Sequence, residues 1–382
     1  MSKSSVYSGK TLRKLKYGVI GVGIIGKHHV KCATEIPEIN LVAVSDVNER
    51  ALKEVKDQYG IKIYKDYHEM IEKENLEAVS ICVPHFLHAP ITLDVIKMGV
   101  HVLVEKPIAL SVKEADEMIN AAKKHGVKLG VVFQNRTNPL LLYIKDMITK
   151  GEVGDMLRAH LTYLCYRSQS YYQSASWRGK WKSEGGGVLI NQAIHFIDIF
   201  QWLVGIRPLR LYSFASRLAH NIEVEDIAVA ILEFENRALG SIQVSSIEVP
   251  QQTRIEIRGD KKAVIIEKNT AYIFSNDVPL KESILKLPMW KTPTYIEKKI
   301  TLDDFHKEWG HKVVLQDFAK AVLNDRDPMV TGEEAEKSLE IVNAIILSSV
   351  KRKEVQFPIS RDEYEEVLKH LSETKGVDLV RK

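Results

Sequence analysis

The stretch KYGVIGVGIIGKHHV, Lys16–Val30, decides the fold. A short apolar run leads into glycines spaced G-x-G-x-x-G at Gly21, Gly23 and Gly26, and a helical pattern follows. Each glycine has its own task. Gly21 permits the tight turn, Gly23 lets main chain approach a pyrophosphate, and Gly26 lets the helix pack on the strand. The helix N-terminus offers free N–H groups to phosphate oxygens. The next apolar run, LVAVSDVNER, places Asp46 where an acid accepts hydrogen bonds from an adenosine ribose. A carboxylate there repels a 2′-phosphate, so NAD is expected over NADP, with Arg50 a small counterweight.

The pattern continues as alternating strands and helices. Strands are expected at Tyr17–Val22, Leu41–Ser45, Ala78–Val83, Val100–Val104 and Lys128–Phe133, with helices such as LHAPITLDVIKMG and SVKEADEMINAAKKHG between them. Ser111 followed by Glu114 reads as a capping box. Alternation of this kind implies parallel βαβ units, a doubly wound α/β half. QNRTNP, Gln134–Pro139, reads as the junction, giving a dinucleotide-binding domain over residues 1–134 and a second domain over 135–382. The second half reads as α+β. DIAVAILEFEN, GSIQVSSIEV and QTRIEIRGDKKAVIIE are long strands of an open, mainly antiparallel sheet. KVVLQDFAKAVLN and GEEAEKSLEIVNAIILSSV are closing helices that can pack back on the first half.

Composition excludes several classes. Of 382 residues, 45% are hydrophobic and 27% charged, with a net charge of +4, an ordinary soluble globular composition. Basic clusters are confined to Lys351–Lys353 and the last two residues, so no nucleic acid partner is expected. The N-terminal segment lacks the apolar core of a signal peptide, and no apolar run reaches the roughly 18 residues of a membrane span. Cys32, Cys82 and Cys165 are scattered and odd in number, which fits a reducing cytoplasm. Metal-ligand spacing is lacking, so no metal is expected.

Two further stretches carry chemistry. GVHVLVEKPIAL runs a strand into Glu105-Lys106-Pro107, at the strand end where open α/β sheets gather ligands. An X-Pro bond can be cis, which would redirect Lys106. GGGVLINQAIHFIDIFQWLVG, Gly185–Gly205, reads as one buried helix, with Asn191, His195 and Asp198 on a single face. The helical pattern alone fits either a satisfied core histidine partnered by Asp198 or a catalytic one.

EKP after GVHVLV, VPHFLH after the preceding strand, and the glycine loop together resemble the glucose–fructose oxidoreductase, inositol dehydrogenase and rhizopine-catabolism (Gfo/Idh/MocA) family, over nearly the whole chain. The resemblance implies a Rossmann domain, an open-sheet second domain, a nicotinamide cofactor, a sugar or cyclitol substrate, and a homodimer or homotetramer built on the sheet. It implies Lys106 and His195 as the catalytic pair. Either His195 or Lys106 would accept the hydroxyl proton, and Lys106 would hydrogen-bond the reacting oxygen and stabilise charge on it. It implies cofactor contacts from Gly21, Gly23, Ile24, Ile25, Gly26, Asp46, Pro84, His88, Glu105 and Lys106. It further implies substrate contacts from Gln134, Arg136, Tyr172, Arg178, Asn191 and Asp198. Asn191 stands where many polyol dehydrogenases of the family carry aspartate.

The loop YRSQSYYQSASWRGKWKSE, Tyr166–Glu184, holds five aromatics and four cations against one acid, which favours a large anionic ligand that can stack. SYYQSASWRG and GGGVLINQAIHFID resemble the branch that oxidises UDP-N-acetylglucosaminuronic acid at C3. EWGH, Glu308–His311, is a further substrate-contact candidate. The alternatives are a polyol, inositol or free-sugar dehydrogenase, an NAD-dependent glycoside hydrolase, and a nucleotide-binding regulator.

Overall fold

A computed structural model describes residues 13–376. The basic C-terminal pair and the first twelve residues lie outside them. Six parallel strands form the first sheet: β1 (Leu15–Ile20), β2 (Ile39–Ser45), β3 (Lys62–Tyr64), β4 (Ala78–Ile81), β5 (His101–Glu105) and β6 (Leu129–Val132). Their order is β3-β2-β1-β4-β5-β6, so the chain reverses direction between β1 and β4. That reversal opens a crevice at the strands' carboxyl ends. β4 is buried along its whole length, as a strand covered on both faces must be. Strand β3 adds to the five expected from sequence; three residues at a sheet edge carry too little pattern to register.

Three of the helices between these strands start where short polar side chains accept the first free N–H groups. Asn48, Asp66 and Ser111 do so, the last from Glu114 at 3.3 Å. The carboxylate of Glu114 reaches back to the N–H of Leu110 (2.9 Å), completing the cap in SVKEADEM.

The second sheet has nine strands: β7 (Met156–Tyr166), β8 (Pro208–Ser216), β9 (Ile227–Phe234), β10 (Leu239–Ser245), β11 (Ile247–Gly259), β12 (Lys262–Glu267), β13 (Thr270–Asn276), β14 (Tyr295–Thr301) and β15 (Val355–Gln356). The order is β14-β13-β12-β11-β7-β10-β9-β8-β15, antiparallel except for the β7–β10 pair. Strict alternation in β9 puts Ala228, Ala230, Leu232 and Phe234 on the covered face and Val229 and Ile231 outward. The helix Gly332–Lys351 lies on the covered face. Ser348 and the carbonyl of Ile345 there hydrogen-bond the main chain and hydroxyl of Ser213 in β8 (3.1 and 2.7 Å).

The closing helices bridge the halves. His311–Leu323 packs against the first helix, Ile24–Thr34, and presses Phe318 onto Gly130 of β6. A Cβ on Gly130 would stand 2.9 Å from that ring, so the glycine admits the helix. One apolar cluster runs from Ile20 and Val79 of the first sheet to Leu232 and Val264 of the second. The crevice thus opens onto a wall that belongs to the second half.

Candidate active site

The glycine loop joins β1 to the helix Ile24–Thr34. Gly21 has φ +85°, and a Cβ there would stand 2.5 Å from the carbonyl oxygen of Cys82. A Cβ on Gly26 would stand 1.9 Å from the carbonyl oxygen of Gly21, whereas one on Gly23 meets nothing within 4 Å. Gly26 is therefore demanded by packing, and Gly23 faces open space. No side chain caps this helix's N-terminus. Asp46 accepts the N–H groups of Val22 and Asn48, both at 2.7 Å, which fixes its carboxylate beside the loop. Ile24 and Val47 stand 95% and 90% exposed around it, and Ile25 packs against the core. An uncapped helix end, an open glycine face and a braced carboxylate fit the diphosphate and ribose of a dinucleotide.

At the end of β5, Glu105 is buried and charged. Against the cost of burial, a hydrogen bond from His29 Nε2 (2.9 Å) holds the carboxyl down at about 2. Behind it the hydrogen bonds continue through Ser80 Oγ (2.8 Å from His29 Nδ1) to Tyr17 Oη (2.6 Å). Burial pushes the Tyr17 phenol well up, so it stays protonated at the far end of this buried network. His311 Nε2 lies 3.8 Å from the same carboxylate. His29, Glu105 and His311 thus gather within 4.8 Å from sequence positions too far apart for spacing to reveal.

The Lys106–Pro107 peptide is cis, and Lys106 Nζ donates to the main-chain carbonyl of Asn191 at 3.0 Å. Burial pulls the lysine below its ordinary value. His195 lies close enough to feel the charge of Lys106. Burial first, then that charge, drives its imidazole down to about 3, so it is neutral at physiological pH. Its Nδ1 is buried with no hydrogen-bond partner among the described residues. The ring is shut away from water beside an amine.

The helix bearing His195 is Ile194–Val204, not Gly185–Gly205. The glycine-led segment before it runs as turns, so Asn191 precedes the helix and shares no helical face with His195. Asp198 is not the partner of His195. Its two oxygens take Arg136 Nε and Nη2 at 2.8 and 2.7 Å, with both groups buried. Arg136 also meets Glu334 (3.1 Å) and lies over the Trp202 ring. These two substrate candidates are spent on each other.

Tyr172 is buried too, its hydroxyl 3.2 Å from Ser246. Its neighbour Tyr171 faces the site. Arg178, Asn191 Nδ2 (3.2 Å) and Gln192 Nε2 (3.0 Å) converge on the Tyr171 hydroxyl. Arg178 lies over the rings of Tyr171 and Trp177, at 4.4 and 4.6 Å, and its Nε is buried with no partner among the described residues. Trp177 in turn rests on His85, whose Nδ1 lies 3.0 Å from the carbonyl of Glu184. The sequence pattern could not choose between adjacent tyrosines on a five-residue helix.

Pro84 caps the turn His85–Leu87. His88 braces that turn, its ring nitrogens 2.6 and 2.9 Å from the carbonyls of Pro107 and Val83. Gln134 lines an open cavity of about 470 Å³ with Asn135, Trp309, His28 and His311, and its Oε1 is buried without a partner. Glu308 instead pairs with Lys312 at 3.2 Å. All three cysteines are free and buried, and no helix among the described residues is long and apolar enough to cross a membrane.

The description "oxidoreductase family, NAD-binding Rossmann fold" fits residues 15–133, and the Gfo/Idh/MocA C-terminal domain fits residues 141–265. The chain belongs to the Gfo/Idh/MocA family. The myo-inositol 2-dehydrogenase of Thermotoga maritima is 28% identical over 88% of this chain and 99% of its own. Among solved structures, the WlbA dehydrogenase of Bordetella pertussis, in complex with NADH and UDP-GlcNAcA, superimposes with a TM-score of 0.77 at 29% identity. The match covers 91% of this chain and 100% of that one. The WlbA protein of Chromobacterium violaceum gives 0.80 at 27% identity, over 92% and 98%. This Gfo/Idh/MocA chain is an NAD-dependent oxidoreductase of the sugar and polyol dehydrogenase kind.

The two glycines separate cofactor binding from folding. Gly23→Ala is expected to keep the thermal midpoint and weaken NADH binding by roughly tenfold or more, because its methyl enters the open space. Gly26→Ala is expected to lower the midpoint by several degrees, because its methyl overlaps a carbonyl. Calorimetric titration with NADH and thermal melts check both.

Proposed function

We propose that this enzyme oxidises the C3 hydroxyl of a UDP-linked N-acetylhexosaminuronic acid to a ketone. The observation that carries the reading is Arg178, held over two aromatic rings near Lys106 with a buried guanidinium nitrogen unpartnered. A cation so placed suits an anionic, stackable substrate; a neutral cyclitol asks only for hydroxyl partners.

NAD, when bound, supplies the hydride acceptor. Gly23, the uncapped helix end and Asp46 would hold its diphosphate and ribose. Lys106 spends one N–H on Asn191 and keeps two for the reacting oxygen, where they favour developing negative charge. His195, neutral in the resting site, would share the hydroxyl's hydrogen bond with Lys106, and the pair would take the proton as the carbon gives up hydride. Arg178, Asn191 and Tyr171 orient the sugar. A second reading, a neutral-polyol dehydrogenase, draws on the inositol dehydrogenase relative.

We also propose that the protein works in the cytoplasm as a homo-oligomer. Tyr212, Phe214, Val229 and Ile231 form an apolar patch on the uncovered face of the second sheet, with Phe214 66% and Ile231 62% exposed. Light scattering is expected to return at least twice the chain mass for the native protein and a smaller species for Ile231→Glu.

Product mass spectrometry tests the substrate. Protein and NAD are offered UDP-N-acetylglucosaminuronic acid, neutral UDP-sugars, hexoses, myo-inositol and an aryl N-acetylhexosaminide. Loss of two hydrogens from the nucleotide-linked acid is expected, and is expected to vanish in Lys106→Ala and His195→Ala. Oxidation of neutral polyols alone would favour the second reading. Cleavage of the aryl glycoside would place the chain among NAD-dependent hydrolases.

A further inference from the structure

The cationic loop Tyr166–Glu184 contains a single acid, Glu184, and that acid is fully buried. Its Oε2 takes the main-chain N–H of Gly179, and its Oε1 faces the Nδ2 of Asn191. Asn191 is the same residue whose carbonyl receives Lys106. A carboxylate can only accept, so an ionised Glu184 compels Asn191 to turn its amide nitrogen inward. That nitrogen also faces Tyr171 Oη, and Oδ1 has no hydrogen-bond partner among the described residues and is not sealed off from solvent. Oδ1 is then the open end, ready to accept a hydroxyl proton.

We propose that Glu184 is a positioning residue for the substrate: its carboxyl decides which end of the Asn191 carboxamide faces the reacting sugar beside Lys106. The proposal rests on the sugar-oxidising reading above. Ionised Glu184 presents Oδ1, an acceptor matched to a substrate O–H. Protonated Glu184 keeps one oxygen on Gly179 and turns its O–H on Asn191, which must then bring Oδ1 inward and present Nδ2.

The surroundings allow both states. Burial pushes the Glu184 carboxyl up to about 7, against the Gly179 and Asn191 hydrogen bonds and the charges of Arg178 and Lys106. Tyr172 and Glu225 also face it electrostatically, and the ring of His85 sits on its carbonyl. Glu225 is likewise raised to about 7 by burial, but its Oε1 is tied to the N–H groups of Gly187 and Leu189. The imidazoles of His85, His195 and His311 are all driven down, the last two to about 3 and 4, so none of them titrates near neutrality.

Glu184→Gln imitates the protonated state, since the introduced carboxamide gives its oxygen to Gly179 and its nitrogen to Asn191. It is expected to raise KM roughly tenfold or more, with a smaller change in kcat, and to flatten the rise of kcat/KM with pH near neutrality. Adding Asn191→Asp to that variant is expected to restore KM, because one oxygen of the new carboxylate accepts from the glutamine amide and the other still faces the sugar. Difference infrared spectra of the NADH complex, taken between about pH 5 and pH 9, are expected to show a carboxyl band that titrates and is missing in Glu184→Gln. A Glu184→Gln variant with native KM and pH profile, a double variant no better than the single, or a titrating band unchanged by the substitution would overturn the proposal. Failure of every sugar in the product assay would sink the substrate reading instead, and the infrared titration would still decide whether Glu184 holds the proton.

Discussion

The site depends on a buried ion pair outside it. Arg136 lies just beyond β6, at the end of the first half, and Asp198 lies one turn along the helix that starts beside His195. The two meet through paired hydrogen bonds, both side chains shut away from solvent. Taking both charges out of water is costly, and the pair repays that only by excellent geometry; removing either partner costs about 3–5 kcal/mol. The pair therefore fixes the His195 helix against the dinucleotide half. With that helix fixed, the turn at Asn191 comes within reach of Lys106, and two elements 85 residues apart share one hydrogen bond.

Charge around the reacting position follows a simple rule. Burial keeps the imidazoles neutral and lowers the lysine, while Glu105 stays ionised because His29 supplies a donor. A fixed negative charge thus lies behind Lys106 and neutral rings lie beside it. That arrangement favours an ammonium at Lys106 with uncharged rings around it. Glu184 is the exception, a carboxyl balanced near neutrality beneath a hydrogen-bonded amide.

Local features were legible in the sequence. The glycine loop, Asp46 and the EKP strand end are each defined within a few consecutive residues, where steric demand and residue type coincide. The alternation of β9 and β10 was legible for the same reason, since period-two burial leaves a direct mark. What pattern could not supply was partnership across distance. Asp198 looks like a companion of His195 on a helical wheel, yet its partner is Arg136, 62 residues away. The run GGGVLINQA is apolar enough to pass for helix, but its glycines and the hydrogen bonds of Glu225 to Gly187 and Leu189 hold it as turns. Tyr171 and Tyr172 have the same chemistry and opposite surroundings. Glu184 counts in the sequence only as the lone acid of a basic loop, because nothing in a sequence says that an acid is buried.

The central claim is that Lys106 and His195 serve a hydride transfer from a sugar carbon to the nicotinamide. Rapid mixing of the protein–NAD complex with UDP-N-acetylglucosaminuronic acid, followed by the near-ultraviolet absorbance of NADH, tests it most directly. The account predicts a rise in bound NADH within a single turnover, slowed when the sugar carries deuterium at C3 and lost in Lys106→Ala. Conversion of the sugar with no NADH formed at any time would contradict it.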